Sequence, residues 1–360
     1  MPKKESLKRQ AHEREFSLDL LRCFAIFPVL LMHVAFCVPG LPPALARVFY
    51  EGWVGVDLFF VLSGYLIGSQ LHGKKHGGAP GGEIGAFWRR RWTRTLPLYF
   101  VVLFVYVVVK PLLFHAPFMG EPWRFVFFVQ NFHPISDFAQ SWSLCIEEQF
   151  YLFIPILFFA LLRTRLSPWL WAGFWLLSPL LRFLQWRELG LPFWNGGQMP
   201  VPDFDLRFRF HTLAHLDGLA AGVFLSSTRD HWRAWPRLRK RVLAFVGAIL
   251  VVGGVAWCSY APADLRAVFL FSILSLGFAS LLIGLHGLEA SSILIRLPVE
   301  KIALWSYGAY LWNQLVVRLL VRFPVEAHWL LGALLFLLLT HLISFATYHF
   351  VEKPGLRLRG

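Results

Sequence analysis

The sequence predicts an all-α fold, a polytopic integral membrane protein of about ten transmembrane helices. Three observations predict it. Hydrophobic residues make up 57% of the 360 and charged residues only 16%, with a mean hydropathy of +0.55. Soluble domains are about a quarter charged, so an ordinary soluble enzyme, a disordered chain and a fibrous repeat are excluded. The apolar residues gather in stretches close to the roughly 20 that cross a bilayer core. Lys and Arg, 35 against 21 Asp and Glu, cluster in alternate connections.

The spans are expected at 17–38, 53–72, 96–115, 143–162, 167–186, 210–227, 242–260, 266–286, 302–321 and 328–350. They make one transmembrane domain, 17–352, between tails of 1–16 and 353–360. Both termini are expected in the cytoplasm. The inner segments then hold the tail cations (Lys3, Lys4, Lys8, Arg9, Arg14), Lys74, Lys75 and Arg89 to Arg94, Arg163 and Arg165, Arg229 to Arg241, Arg296 and Lys301, and Lys353, Arg357 and Arg359. That is 24 of the 35 cations on one side, as the positive-inside rule expects. The formal charge of +14 is thereby explained without nucleic acid. Cys23, Cys37, Cys145 and Cys258 show no CxxC spacing, so neither a zinc site nor a disulfide framework is expected. The polar start and the long first apolar run argue against a cleaved signal peptide. The outer connections 116–142 and 187–209 carry Pro, aromatics and charges, with Trp186, Phe193, Trp194, Asp203 and Asp205. They suit an interfacial aromatic belt or a sugar-binding surface.

Ionisable groups inside a span are costly and mark functional sites by default. Span one carries Arg22 and His33, eleven residues apart. At 100° per residue they return to one face, about three turns and roughly 16 Å apart along the axis. Arg22 suits a phosphate and His33 a proton at neutral pH; snorkelling and simple packing compete with those roles. In span two, Asp57 lies a turn in, a site residue or a structural pair, and Ser63-Gly64 permits close helix approach. In FWRRRWTRTLPLYF, Arg91 and Arg94 share a face if the helix starts early; such a cluster suits a phosphorylated donor. Glu147 and Glu148 are expected in the first turn of span four, at the positive end of the dipole, one of them facing a polar cavity. In span six, His211 and His215 lie four apart with Asp217 beyond, too few ligands for zinc. Span nine holds Asn313-Gln314. The last holds His341 and then Glu352-Lys353-Pro354, expected to end the helix.

Taken in order, these segments resemble the acyltransferase-3 family of integral membrane acyltransferases, which includes O-antigen and other surface-glycan O-acetylases. The likeness runs from about Phe16 to Arg359. It rests on Arg22 and His33 as Arg-x10-His, GWVGVDLFFVLSGYLIG, RRRWTRTLPLYF, QNF…SWSLCIEEQFYLF, SYGAYLW and YHFVEKPGLRLR. The resemblance implies transfer of an acyl group, usually acetyl, from cytosolic acyl-CoA as co-substrate, with no permanently bound cofactor or metal. The acceptor is commonly a carbohydrate hydroxyl on the outer side of a bacterial inner membrane. It makes Arg22, Arg91 and Arg94 the donor-binding cations, and His33 the general base or acyl relay, with Glu147 beside it as a catalytic group. Asp57, Ser63, Glu148, His215, Asp217 and Asn313 are left as cavity, acceptor or structural polar residues.

There are departures. Asn313 stands where relatives often carry His, and Asn takes up no proton at neutral pH. The R/H-x-D pattern of span six is met by His215 and Asp217. The last expected helix runs close to the end of the chain, so the outer loops or a partner are expected to deliver the acceptor. A transporter of a glycan, lipid or organic acid fits the same helix count and would show broken helices at mid-bilayer. An inactive relative is a third reading, suggested by Asn313.

Overall fold

A computed structural model describes residues 15–72, 80–133, 137–161, 167–189, 204–258, 260–323 and 328–357. Helices and their connections make up these residues, with no strand among them. The tail cations before Glu15, Lys74, Lys75, Arg163, Arg165, Arg359 and the loop residues Phe193, Trp194 and Asp203 lie outside the described residues. The main helices are α1 (Phe16–Cys37), α2 (Pro43–Tyr50), α3 (Gly55–His72), α4 (Pro80–Phe104), α5 (Pro122–Val126), α6 (Ser141–Leu161), α7 (Ser167–Glu188), α8 (Asp217–Ser227), α9 (Arg237–Cys258), α10 (Ala263–Leu285), α11 (Ile293–Arg322) and α12 (Trp329–Thr347).

Among the described residues, seven helical runs are long and apolar enough to cross a membrane: Phe16–Cys37, Pro43–His72, Gly82–Phe114, Ser141–Phe159, Arg237–Cys258, Ala263–Leu285 and Trp329–Arg357. The protein is an integral membrane protein. Seven of the ten expected spans fall among these runs; the expected spans 167–186, 210–227 and 302–321 do not. Helices α7 and α11 have the length, 22 and 30 residues, but polar residues, among them Ser178 and Arg182 in α7 and Asn313, Gln314 and Arg318 in α11, dilute their apolarity. The sixth expected span, 210–227, departs most. A π turn at Asp205–Arg209 and a 3-10 turn at Leu213–His215 precede α8, which has only 11 residues. The Asn131 amide, which donates to Thr212 Oγ1, and the His215–Asp57 bond hold that stretch on a non-helical path.

The bundle inverts the soluble pattern. Along α9, Leu238, Val242, Phe245, Ile249 and Val252 repeat at helical spacing and are all exposed, while the buried positions are Gly247 and Gly254. An apolar outer stripe is what lipid demands, and small residues then let backbones close on each other. The same logic seats α8 on α3. A Cβ at Gly64 would strike the Leu219 carbonyl, and one at Gly222 the Val61 carbonyl. The step expected at Ser63-Gly64 is therefore a real close approach.

Helix α4 begins at Pro80, well before the expected 96, and continues through a π turn at Val105–Val109 into Lys110–Phe114. The C-terminal expectation is also corrected. Pro354 does not end the last helix: a π turn at Tyr348–Glu352 absorbs the register change, and helix resumes over Lys353–Arg357. All four cysteines are unpaired.

Candidate active site

A part-open cavity of about 780 Å³, its mouth included, lies between α1, α3, α4, α6 and α11. Arg22, Ser63, Arg91, Arg94, Glu147 and Tyr310 give its wall a polar character. Five of these, Arg22, Ser63, Arg91, Arg94 and Glu147, were expected from four separate motifs, and the fold brings them together. Arg91 and Arg94 share a face because α4 starts early enough to carry both. Arg22 is aimed by its own helix: Nη1 meets Asp19 Oδ1 at 2.6 Å, with the two side chains 18% and 2% exposed.

Tyr151 organises the far wall. Its hydroxyl accepts from Arg91 Nη2 and shares a hydrogen with Ser63 Oγ. It donates to Glu147 Oε2 at 2.9 Å, which uses the full capacity of a phenol: one donor and two lone pairs. Arg91 also lies over the Tyr151 ring, 4.0 Å from its centroid, and 3.8 Å from Glu147 Oε2. A guanidinium held on an aromatic face beside a carboxylate keeps its charge and its orientation.

The acidic pair divides. Helix α6 begins at Ser141 and has no acidic residue in its first turn. The expected dipole role of Glu147 and Glu148 is therefore corrected, since both sit a turn deeper. Glu147 faces the cavity. Glu148 does not line it; its Oε1 accepts from Thr95 Oγ1 at 3.0 Å, and its Oε2 is buried without a partner.

His33 is 3% exposed. Its Nδ1 lies 2.7 Å from Val29 O. A carbonyl only accepts, so Nδ1 carries the proton and Nε2 is left with a lone pair. Nε2 is buried and makes no hydrogen bond. This is the tautomer a general base requires. His33 continues the buried face of Ile26, Val29 and Cys37, so the shared helix face with Arg22 holds. The cavity reaches Arg22 but its lining does not include His33. Cys23 Sγ bonds Val299 O, so α1 and α11 lie side by side there. Ten residues further along each helix the chain is at His33 and Ala309, with Asn313 a turn beyond. Asn313 is fully buried, its Nδ2 bonded to Tyr310 O at 2.9 Å and its Oδ1 unpartnered.

The remaining expected residues lie elsewhere. His215 Nε2 meets Asp57 Oδ1 at 2.8 Å, and its Nδ1 meets Arg209 O at 2.7 Å. Acceptors at both nitrogens mean that a proton is shared between imidazole and carboxylate. Asp217 is taken by Arg182 Nη2 at 2.9 Å and Ser272 Oγ at 2.8 Å. Among the described residues no cluster of three or more His, Cys, Asp or Glu is placed to hold a metal.

Sequence reasoning missed Asp19, Thr95, Tyr151, Arg182 and the buried pair Lys110–Asp137. Signals for the first three existed. Asp19 is three before Arg22, Thr95 four after Arg91, and Tyr151 four after Glu147, the spacings at which helix side chains meet. Arg182 and Lys110 sat unremarked inside expected spans, where an ionisable group always calls for a partner.

A bundle of lipid-facing helices around a cavity that carries three arginines and a carboxylate defines an integral membrane protein with a polar site inside its helical bundle. The family model described as an acyltransferase domain matches residues 15–349, and the chain belongs to the acyltransferase-3 family. It is 28% identical over 372 residues to the peptidoglycan O-acetyltransferase OatA of Listeria monocytogenes, covering 94% of this chain and 55% of that protein. It is 28% identical over 377 residues to a putative peptidoglycan O-acetyltransferase of Bacillus subtilis, covering 96% and 56%. It is 26% identical over 366 residues to an O-acetyltransferase of Staphylococcus aureus, covering 94% and 56%. The chain thus spans about half the length of the curated relatives it matches. No solved structure matches it.

Proposed function

We propose that this protein is an O-acyltransferase. It moves an acyl group, acetyl in the first instance, from cytosolic acyl-CoA to a hydroxyl of a carbohydrate acceptor on the outer side of a bacterial inner membrane. On this reading the chain crosses ten times with both termini cytoplasmic. The observation that carries the proposal is the convergence of Arg22, Arg91, Arg94 and Glu147 on one cavity inside the helical bundle. The relatives' names favour a peptidoglycan-like acceptor.

The three arginines hold the phosphates of the donor as charge-assisted hydrogen-bond donors. Glu147 and Tyr151 keep Arg91 turned to the cavity. The acceptor oxygen attacks the thioester carbonyl while His33 Nε2 takes its proton. As the C–O bond forms the C–S bond breaks, and the imidazolium returns the proton to the departing thiolate. Because the cavity stops short of His33, the donor's thiol arm must open the remaining path between α1 and α11.

The test is transfer of radiolabelled acetyl from acetyl-CoA to a glycan oligosaccharide by the purified protein in nanodiscs. His33→Ala should lose about 10²–10⁴-fold in turnover with unchanged acetyl-CoA affinity and thermal unfolding. Wild-type turnover in that variant overturns the mechanism. Arg22→Ala should weaken acetyl-CoA binding, and unchanged affinity removes Arg22 from the donor site. One observation favours a transporter instead: the broken sixth segment before α8. That break is plugged, however, since Arg182 and Ser272 occupy Asp217 at the start of α8. An absence of acetyl-CoA binding by the purified protein would revive the transporter reading.

A further inference from the structure

A second recess lies on the opposite side of the wall that bounds the polar cavity. It is a groove of about 560 Å³ between α4, α6 and the segment after α5. Trp92, Leu96 and Phe100 line it at one-turn intervals along α4, faced by Phe127 and Leu152. Phe100, Phe127 and Leu152 are 38%, 71% and 39% exposed, so the groove opens on the lipid-facing surface. Its floor holds Glu148, 94% buried by the 6% exposure of its side chain's residue.

The groove's polar inventory is short. Gln149 is satisfied: Nε2 donates to Phe128 O and Asn131 Oδ1, and Oε1 accepts from Thr212. Glu148 Oε1 is held by Thr95, whose other side lines the polar cavity. Glu148 Oε2 alone is left, buried and without a hydrogen bond. An unmet carboxyl oxygen in a largely apolar surround is costly; the Trp92 side chain in the same groove and the charge of Arg91 across the wall ease that cost without closing a hydrogen bond to Oε2.

We propose that this groove binds a membrane amphiphile through an alcohol hydroxyl, with Glu148 Oε2 as its hydrogen-bond partner and the aromatic groove holding its hydrocarbon chain. The choice of an alcohol follows from the carboxyl. Ionised, Oε2 only accepts; protonated, it can also donate. A hydroxyl satisfies both forms, an ammonium suits only the ionised one, and a phosphate or carboxylate suits only the protonated one. Arg91, the cation across the wall, already serves Glu147, so the groove needs no second charge. The ligand enters sideways from the bilayer. This claim concerns binding alone and does not rest on acyl transfer.

The experiment uses the full chain in lipid nanodiscs, without acyl-CoA, and a long-chain primary alcohol carrying a mid-chain diazirine. After irradiation, the label should fall in peptides holding Trp92 to Phe100, or Phe127 and Leu152. The unlabelled alcohol should compete, and the alkane and fatty acid of equal length should not. Glu148→Leu should cut labelling about tenfold, the scale of one hydrogen bond to a carboxyl group. Leu152→Trp, at a lipid-facing position that leaves Glu148 in place, should abolish it. If Glu148→Leu fails to fold, the competition series and Leu152→Trp decide. Equal competition by alkane and alcohol, equal labelling of wild type and Glu148→Leu, or label elsewhere overturns the proposal; the first would make the groove a seat for lipid tails only.

Discussion

The polar groups within this bundle fall into two kinds, and the contrast separates scaffold from site. Around Arg182 every guanidinium nitrogen is used. Nε and Nη2 serve Val268 O, Nη1 serves Ala214 O, and Nη2 also serves Asp217 and Ser272, with the side chain fully buried. That cluster ties α7, α8 and α10 together and leaves only Asp217 Oδ1 without a hydrogen bond. In and behind the walls of the polar cavity the accounting does not close. Arg91 Nε, Glu148 Oε2, Asn313 Oδ1 and His33 Nε2 are all buried and unpartnered. Polar groups saturated by protein hold a membrane fold together, whereas unmet capacity beside a void is where a substrate belongs.

Breaking the Arg182 cluster should have the largest effect. Arg182→Met leaves Asp217 a buried, half-paired carboxylate, a loss of about 3–5 kcal/mol. Thermal unfolding in detergent should show a collapse of the folded fraction, and a wild-type midpoint would make the cluster dispensable. Gly64→Val comes next. Its side chain must enter the space held by the Leu219 carbonyl, which pushes α8 off α3 at a cost of about 1–3 kcal/mol. The variant should unfold earlier, and its Arg182 neighbourhood should become more accessible to hydrogen exchange. Arg91→Lys should behave in the opposite way. The point charge survives but the planar fork on Tyr151 is lost, so acetyl-CoA affinity should fall about tenfold with little change in unfolding. A variant that unfolds early yet binds normally would move Arg91 from the site to the scaffold.

What the sequence disclosed follows from helix geometry. Arg22 and His33 on one face, Arg91 with Arg94, and the Gly64 approach are all matters of spacing within one helix, and all three hold. Partnerships across helices were hidden. Tyr151 meets Arg91 across 60 residues of chain, and Arg182 meets Asp217 across 35; no local period encodes either. Hydropathy also misjudged the stretch before α8. Residues 210–216 are apolar enough to read as a span, but Thr212 and His215 spend their hydrogen bonds on other segments and break the helix. The misplaced role of Glu147 came from an error of two residues in where α6 starts.

The smallest expected effect concerns a cluster centred on Asp137, in the connection between α5 and α6. Asp137 takes Lys110 Nζ at 2.6 Å on Oδ2, Arg318 Nη2 at 2.6 Å on Oδ1, and the Met119 amide at 2.8 Å. Burial alone would raise its pKa. The hydrogen bonds from Lys110 and Met119, with the charges of Arg318 and Lys110, outweigh it and hold the carboxyl below its ordinary value. A carboxyl lowered in the folded state adds stability above its unfolded pKa, about 3.9, and loses it as pH falls through the lower folded value. Asp137→Asn keeps the acceptor for Lys110 but has nothing to titrate. The gap in unfolding midpoint between wild type and Asp137→Asn should therefore stay constant from about pH 7 to pH 5 and close below about pH 4. A gap unchanged at pH 3 would mean that the pairing of Asp137 with Lys110 and Arg318 contributes no charge-dependent stability, and that this cluster holds by hydrogen bonds alone.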